Sequence, residues 1–127
     1  MTIDQGTGTP TASGVKCDKV DRRVSFDFNA SDLRPDSREV LDLLASCLQQ
    51  NPAWRLAIEG HCDERGTTDY NLQLGERRAG SVKDYLVRLG VERSRLKTIS
   101  YGDEKPLDTS GTEAAWALNR RGELVVQ

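Results

Sequence analysis

Hydrophobic and polar residues alternate over two stretches of the chain. Apolar side chains occupy every second position over residues 22–28, and a similar alternation over residues 54–58 ends at Gly60. A period of two places the apolar side chains on one face of an extended chain, so each stretch predicts a half-buried strand. Shorter apolar stretches predict two further strands, over residues 96–101 and 123–126.

Between these strands, hydrophobic residues recur at the three- and four-residue spacing of α-helices. The first predicted helix covers residues 35–50 and begins with a proline, which suits a first helical turn. The longest covers residues 68–89 and is closed by Gly90, and a short helix is predicted over residues 112–118. The resulting order, β-α-β-α-β-(α)-β, predicts an α/β fold in which helices cover at least one face of a sheet.

Composition narrows the classes of function. The chain has 127 residues, which suits one domain, and its formal net charge is -2. That balance provides no basic surface for nucleic acid and no polybasic patch for a membrane surface. No apolar run approaches the roughly 20 residues that a membrane-spanning helix needs. Residues 1–16 are rich in Thr, Gly and Ser and predict a flexible tether ahead of the domain.

The longest predicted helix carries an arginine on its apolar face. On a helical wheel of about 100° per residue, Leu74, Val82 and Tyr85 lie within about 40° of Arg78. Asn71 lies within about 20° of Arg78 on the same wheel. Because an unpaired buried charge is costly, this pattern predicts an anionic partner for the arginine.

Asp63 is the natural partner, because it follows the second strand and precedes the long helix. One interpretation is a structural Asp63–Arg78 ion pair that holds strand and helix together in a protein-interaction domain. The other is a carboxylate and a guanidinium held apart for a ligand with both an ammonium and a carboxylate group. The residues leave both interpretations open, although the amide of Asn71 and the free N–H groups of the helix N-terminus slightly favour a ligand.

A hydrolase or metal enzyme that uses His61, Asp63 and Glu64 is a third interpretation. It is much weaker, because adjacent residues of an extended chain face apart and no further ligand cluster accompanies them. His61 is the single histidine, and the three cysteines do not have zinc-site spacing. The sequence therefore predicts a module with no catalytic residue, metal or cofactor.

The residues around Asp63 and Arg78 resemble the OmpA-like peptidoglycan-binding domain and, within it, the group of peptidoglycan-associated lipoproteins. The family pattern is roughly Gly-His-Thr-Asp-x-x-Gly, then Asn, then Leu-Ser/Gly-x-x-Arg-Ala. This chain has Gly-His-Cys-Asp-Glu-Arg-Gly at 60–66, then Asn71, then Leu-Gly-Glu-Arg-Arg-Ala at 74–79. The resemblance covers about residues 22–127.

This resemblance implies a two-layer sandwich, in which helices pack on a mixed four-stranded sheet, over residues 17–127. It implies a non-catalytic module that binds the peptide stem of peptidoglycan through meso-diaminopimelate. By position, Asp63 corresponds to the aspartate that holds the ammonium group and Arg78 to the arginine that holds the carboxylate. Further pocket positions correspond to Asn29, Asn71 and Arg120, and supporting positions to Phe28, His61, Cys62 and Gly66.

The resemblance also implies a location and partners. The domain is expected in the periplasm, associated with the outer membrane through a segment not present in this chain. Tol-system proteins are further expected partners for a member of the peptidoglycan-associated lipoprotein group. Cys62 is a departure from the family pattern, because it replaces the usual threonine beside the aspartate and offers a thiol where the family has a hydroxyl.

Two cysteines outside the family pattern predict a disulfide. Cys17 lies just before the first strand, which runs toward the site end of the sheet. The first helix starts at that end and runs back, so Cys47 in its last turns is expected to return close to Cys17. The sequence therefore predicts a Cys17–Cys47 disulfide in an oxidising compartment, with Cys62 left as a thiol.

Overall fold

A computed structural model describes residues 16–127 of the chain. Seven regular elements follow one another: β1 (Arg23–Ser25), α1 (Pro35–Gln50), β2 (Leu56–His61), α2 (Thr68–Arg88), β3 (Leu96–Gly102), α3 (Glu113–Asn119) and β4 (Arg121–Val126). Two short 3-10 turns, Cys17–Lys19 and Arg93–Arg95, precede β1 and β3.

The four strands form one mixed sheet in the order β1-β4-β2-β3. β2 and β3 are parallel and joined through α2, whereas β4 runs antiparallel to both β1 and β2. The hydrophobic core lies between α1, α2 and one face of the sheet, and it includes Leu44, Ile58, Val82 and Leu124. The predicted two-layer α/β fold is therefore confirmed.

The close approach of α2 to β2 sets the geometry of one end of the sheet. A Cβ atom added to Gly60 would lie 1.8 Å from the carbonyl oxygen of Gly75, so no side chain fits between strand and helix. Because β2 ends at His61 and α2 begins at Thr68, the first turns of the helix lie beside the carboxyl end of the strand. This end of the sheet carries the predicted site residues.

The first strand is shorter than the alternation of its residues predicts. β1 ends at Ser25, although the pattern extends to Phe28. The chain leaves the sheet because Asn29 adopts a left-handed backbone conformation, with φ of 59°, and because the carbonyl groups of Asp27 and Ala30 turn toward Arg78. Residues 26–28, which the alternation predicts as strand, thus form one wall of the site.

The predicted cysteine pairing is present in the structure. Cys17 and Cys47 form a disulfide with their Cα atoms 5.6 Å apart, and Cys62 is a buried free cysteine. The tether predicted for residues 1–16 lies, apart from residue 16, outside the described residues. Within residues 16–127, no helix is both long enough and apolar enough to cross a membrane.

Candidate functional site

Three segments converge at the carboxyl end of β2: the chain after β1, the turn after β2 and the first turns of α2. They enclose a pocket of about 100 Å³. Its lining residues are Phe28, Asn29, Cys62, Asp63, Arg65, Gly66, Tyr70, Asn71, Leu74 and Arg78. A larger groove of about 650 Å³ lies between β1 and α1, but no buried carboxylate or guanidinium lines it.

Arg78 is held by backbone carbonyl groups. Its Nε donates to the carbonyl of Ala30 at 2.8 Å, its Nη1 to that of His61 at 2.8 Å and its Nη2 to that of Asp27 at 3.0 Å. The side chain is almost fully buried, and burial lowers the pKa of Arg78 from its usual value. A guanidinium has five N–H groups, so two N–H groups of Arg78 are not used by these three carbonyl groups.

The structural Asp63–Arg78 ion pair, one of the two interpretations of the sequence, is wrong. Among the described residues Asp63 forms its ion pairs with Arg65, at 2.8 Å, and with Arg120, at 3.5 Å. The helical wheel gave the direction of Arg78 correctly but could not identify its acceptors. Three carbonyl oxygens from two separate segments meet the guanidinium more completely than one carboxylate would.

Asp63 is a buried carboxylate in a strongly cationic environment. The backbone N–H of Arg65 and its Nε donate to Oδ1 at 3.0 and 3.1 Å, and its Nη2 donates to Oδ2 at 2.8 Å. Burial alone raises the pKa of Asp63, but the hydrogen bonds from Arg65 and the charge of Arg120 outweigh it and hold that pKa below its usual value. Asp63 is therefore ionised at neutral pH.

Arg120, which the resemblance implied as a pocket position, does not line this pocket but lies 3.5 Å from Asp63 as its second cationic neighbour. Its Nε donates to the carbonyl of Phe26 at 3.1 Å and its Nη2 to Glu113 at 3.1 Å. Its Nη1 is buried and makes no hydrogen bond among the described residues. Arg120 thus joins the chain after β1 to α3 and adds positive charge beside Asp63.

Asn71 and Gly66 shape the turn that carries Asp63. The side-chain amide of Asn71 donates to the carbonyl of Arg65 at 3.1 Å and, more weakly, to that of Asp63 at 3.5 Å. Gly66 has a φ of 101°, a conformation that favours glycine, and a Cβ there would lie 3.4 Å from the Asn71 side chain. Asn71 therefore positions backbone as well as lining the pocket.

Phe28 and Asn29 form the opposite rim. The hydroxyl of Tyr70 donates to the side-chain oxygen of Asn29 and so links the segment after β1 to α2. Phe28 is 58% exposed, and its ring lies against the guanidinium of Arg65. The two predicted residues are therefore at the pocket mouth.

His61 does not line the pocket. Its carbonyl binds Arg78, while its buried ring stacks on Tyr101 with centroids 5.4 Å apart. Burial and the charge of Arg121 lower the pKa of His61 to about 4, so the imidazole is neutral at physiological pH. No group of three or more His, Cys, Asp or Glu residues within 16–127 is arranged to hold a metal ion.

Cys62 lies at the back of the pocket. Its Sγ donates to the carbonyl of Asn71 at 3.2 Å, and burial raises the pKa of the thiol to about 11. The thiol therefore fills the place of the expected threonine hydroxyl with a weaker hydrogen bond.

Sequence reasoning missed three residues of this site: Arg65, Tyr70 and Trp116. Arg65 follows Asp63 by two residues in a turn, and an aspartate in a turn commonly accepts hydrogen bonds from the residue two positions on. That spacing could have identified Arg65. Tyr70 and Trp116 act through contacts with distant segments, which no local pattern indicates.

The fold and the pocket agree with a known family. The chain belongs to the OmpA family, whose model matches residues 25–120. The peptidoglycan-associated lipoprotein of Brucella melitensis is 41% identical over 124 residues, which are 98% of this chain and 74% of that protein. The peptidoglycan-associated lipoprotein of Pseudomonas putida is 48% identical over 99 residues, which are 78% of this chain and 59% of that protein.

Solved structures give the same result. The peptidoglycan-associated lipoprotein from Burkholderia pseudomallei is 40% identical with a TM-score of 0.82, and the match covers 84% of this chain and 91% of that one. The C-terminal domain of Helicobacter pylori MotB has a TM-score of 0.77 at 20% identity, covering 83% of each chain, and shows a shared fold alone. The resemblance identified from the sequence is therefore confirmed.

Proposed function

We propose that this domain is a non-catalytic cell-wall binding module that holds the zwitterionic end of meso-diaminopimelate in a peptidoglycan stem peptide. One observation carries the proposal: Asp63 and Arg78 are buried, oppositely charged and line one pocket, yet they do not pair with each other. The similar proteins named peptidoglycan-associated lipoproteins support the same class of ligand.

Each end of the zwitterion has a complementary group. Asp63 accepts from the ligand ammonium, and the two remaining N–H groups of Arg78 donate to the ligand carboxylate. The pocket, of about 100 Å³, matches the small head group of an amino acid. Asn29 and Asn71 line the same pocket, and Arg120 supports Asp63 from behind.

The proposal also assigns a location. A wall-binding module of this family functions in the periplasm in association with the outer membrane. Tol-system proteins are proposed as further partners, and the ligand-binding role requires no cofactor.

Titration calorimetry with a diaminopimelate-containing stem peptide tests the proposal. Asp63→Asn keeps the size of the side chain but removes its charge, and it should reduce affinity about tenfold or more, as expected for the loss of one charge-assisted contact. Glu64→Gln, an adjacent exposed carboxylate, is the matched control and should bind as the unmodified protein does. No binding by the unmodified protein would contradict the proposal.

Ligand choice separates the two ends of the zwitterion. A stem peptide with lysine in place of diaminopimelate keeps the ammonium but lacks the carboxylate, so Arg78 loses its acceptor and affinity should fall at least tenfold. Amidation of the diaminopimelate carboxylate should have the same effect. Equal binding of all three peptides would exclude the proposed role of Arg78.

A further inference from the structure

Arg65 is fixed between two aromatic rings. The central carbon of its guanidinium lies 4.1 Å from the ring centroid of Phe28 and 4.0 Å from that of Trp116. These rings come from the segment after β1 and from α3, whereas Arg65 belongs to the turn after β2. Contact with both rings restrains the guanidinium and leaves its N–H groups for hydrogen bonds.

One edge of this guanidinium determines which acceptor positions of Asp63 remain open. A carboxylate accepts about four hydrogen bonds, two on each oxygen. The backbone N–H and Nε of Arg65 take both positions on Oδ1, and its Nη2 takes one on Oδ2. One acceptor position of Oδ2 is therefore open.

The second cation beside Asp63, Arg120, does not form a hydrogen bond at that position. Nη1 of Arg120 is 3.5 Å from Oδ2 and makes no hydrogen bond among the described residues. The same guanidinium is held by Phe26 through Nε and by Glu113 through Nη2. Because both of those contacts draw Arg120 away, a small cation that enters the pocket can take the open position.

A carboxylate without Arg65 would lack this arrangement. Asp63 would then be free to move closer to Nη1 of Arg120, which now lies 3.5 Å away without a hydrogen bond, or to turn toward Arg78, which lines the same pocket. Either contact would use the acceptor that the ligand ammonium needs. Arg65 thus satisfies most of the carboxylate and keeps the remaining acceptor available.

We propose that Arg65, clamped by Phe28 and Trp116, is a positioning residue that holds Asp63 with one acceptor open and thereby gives the pocket its selectivity for a free ammonium group. This inference rests on the proposed function. It predicts that Arg65 affects recognition of the amine end of the ligand and leaves recognition of the carboxylate end unchanged.

The test compares three stem peptides, which carry an unmodified diaminopimelate, an N-acetylated one or a carboxyl-amidated one. Arg65→Gln should lower the affinity ratio of the unmodified to the N-acetylated peptide about tenfold, the worth of one charge-assisted hydrogen bond that is no longer prearranged. The ratio of the unmodified to the amidated peptide should not change. Arg65→Lys, which keeps the charge but lacks the planar fork, should restore only part of the first ratio.

Two further variants test the clamp. Trp116→Leu and Phe28→Leu keep apolar bulk but remove one stacked ring, so each should lower the amine-selectivity ratio in the same direction as Arg65→Gln by a smaller factor. Arg55→Gln, an exposed arginine at the other end of the sheet, is the matched control and should change neither ratio.

A readout without ligand separates this inference from the proposed function. In an NMR titration of the Asp63 carboxyl group, Arg65→Gln should raise the pKa of Asp63 toward its usual value, because the side-chain hydrogen bonds and the charge of Arg65 are lost while the backbone N–H bond remains. An unchanged amine-selectivity ratio in folded Arg65→Gln, or equal losses for all three peptides, would overturn the positioning role. If the unmodified protein binds no peptide, the proposed function fails, and an unmoved Asp63 titration then overturns the positioning of Asp63 as well.

Discussion

Each end of the central strand β2 is held by an arginine, which is almost fully buried at the carboxyl end and partly buried at the amino end, but the proposed ligand site lies at the carboxyl end alone. At the carboxyl end, Arg78 donates to three backbone carbonyl groups. At the amino end, Arg95 also donates to three, with Nε to Trp54 at 3.0 Å and Nη2 to Leu48 and Asn51 at 2.8 and 2.9 Å. Each arginine ties a helix or loop to the end of the sheet.

The two ends of β2 differ in one carboxylate: Asp63 lies in the cavity of Arg78 but does not pair with that arginine. Both arginines line cavities of similar size, about 100 Å³ at Arg78 and about 80 Å³ at Arg95. The cavity at Arg95 has no acidic side chain in its lining, and the remaining partner of Arg95 is the exposed Glu92. Asp63 makes the other cavity complementary to a zwitterion. An arginine that binds backbone carbonyl groups therefore does not by itself indicate a ligand site. The carboxylate of Asp63, which does not pair with Arg78, is what indicates one.

Removing each arginine in turn gives the largest expected effect. Arg78→Ala leaves three carbonyl groups without their donor in a buried place, and it should lower the free energy of unfolding by about 5 kcal/mol, at one to three kcal/mol for each lost contact. Arg95→Ala should cost about 3 kcal/mol, because water reaches its carbonyl groups more easily. Urea denaturation monitored by circular dichroism measures both.

Lysine variants test function at the same two positions without the full loss of stability. Arg78→Lys keeps the charge but not the fork, so it should lower affinity for the diaminopimelate peptide at least tenfold. Arg95→Lys should lower the free energy of unfolding about as much as Arg78→Lys does, and it should leave affinity for the peptide unchanged. Equal losses of affinity in Arg78→Lys and Arg95→Lys would show that ligand binding depends on both ends of the sheet.

The disulfide belongs to the amino end and provides the next test. Cys47 lies one helical turn before Asn51, whose carbonyl binds Arg95. The combined change Cys17→Ser and Cys47→Ala should lower the free energy of unfolding by about 3–4 kcal/mol, because the bridge closes a long loop in the unfolded chain. Affinity for the wall peptide should not change, since the pocket is at the opposite end. A tenfold loss of affinity would contradict this separation.

His61 predicts a pH dependence that arises outside the pocket. Its ring stacks on Tyr101, lies 3.6 Å from Glu59 and faces the charges of Arg121, Glu123, Lys105 and Arg23. The pKa of His61 is about 4 in the folded chain and 6.5 in its unperturbed state. As pH falls, His61 is therefore protonated in the unfolded chain before it is protonated in the folded chain. The contribution of neutral His61 to the free energy of unfolding is complete above pH 6.5 and is lost progressively toward about pH 4.

The expected loss over that interval is about 3 kcal/mol, from about 1.4 kcal/mol for each pH unit. His61→Gln should remove this part of the pH dependence while it keeps the backbone carbonyl that Arg78 needs. Thermal unfolding of both proteins between pH 7 and pH 4 measures the difference. Parallel stability curves would show that folding leaves the pKa of His61 unchanged.

Periodicity predicted the elements of the fold but not the course of the chain around the site. The predicted first helix, residues 35–50, agrees with α1, and the predicted long helix ends one residue beyond α2. The alternation over residues 22–28 failed after Ser25, because carbonyl groups there are drawn to Arg78 and Arg120, which lie far away in sequence. A local pattern has no information about such acceptors.

The site residues show the same limit. The helical wheel located Arg78 and Asn71 on the buried face of α2, because the direction of a side chain depends on local geometry. The ion pair between Asp63 and Arg78, one of the interpretations that the sequence left open, is wrong because partners depend on how three segments meet. Trp116 could not be placed beside Arg65 from sequence, since the contact joins α3 to the turn after β2, about fifty positions apart along the chain.

The smallest expected effect concerns Cys62, where this chain departs from the family pattern. Cys62→Thr replaces a thiol with a hydroxyl that can donate to the same carbonyl of Asn71, while the side chain keeps a similar volume. Because a hydroxyl forms the stronger hydrogen bond but is more costly to bury, stability and affinity should each change by less than about 1 kcal/mol. Cys62→Ala is the matched control that removes the hydrogen bond, and it should be the less stable of the two. A tenfold gain in affinity for the threonine variant would show that this position contacts the ligand directly, and would place Cys62 among the ligand-binding residues rather than behind them.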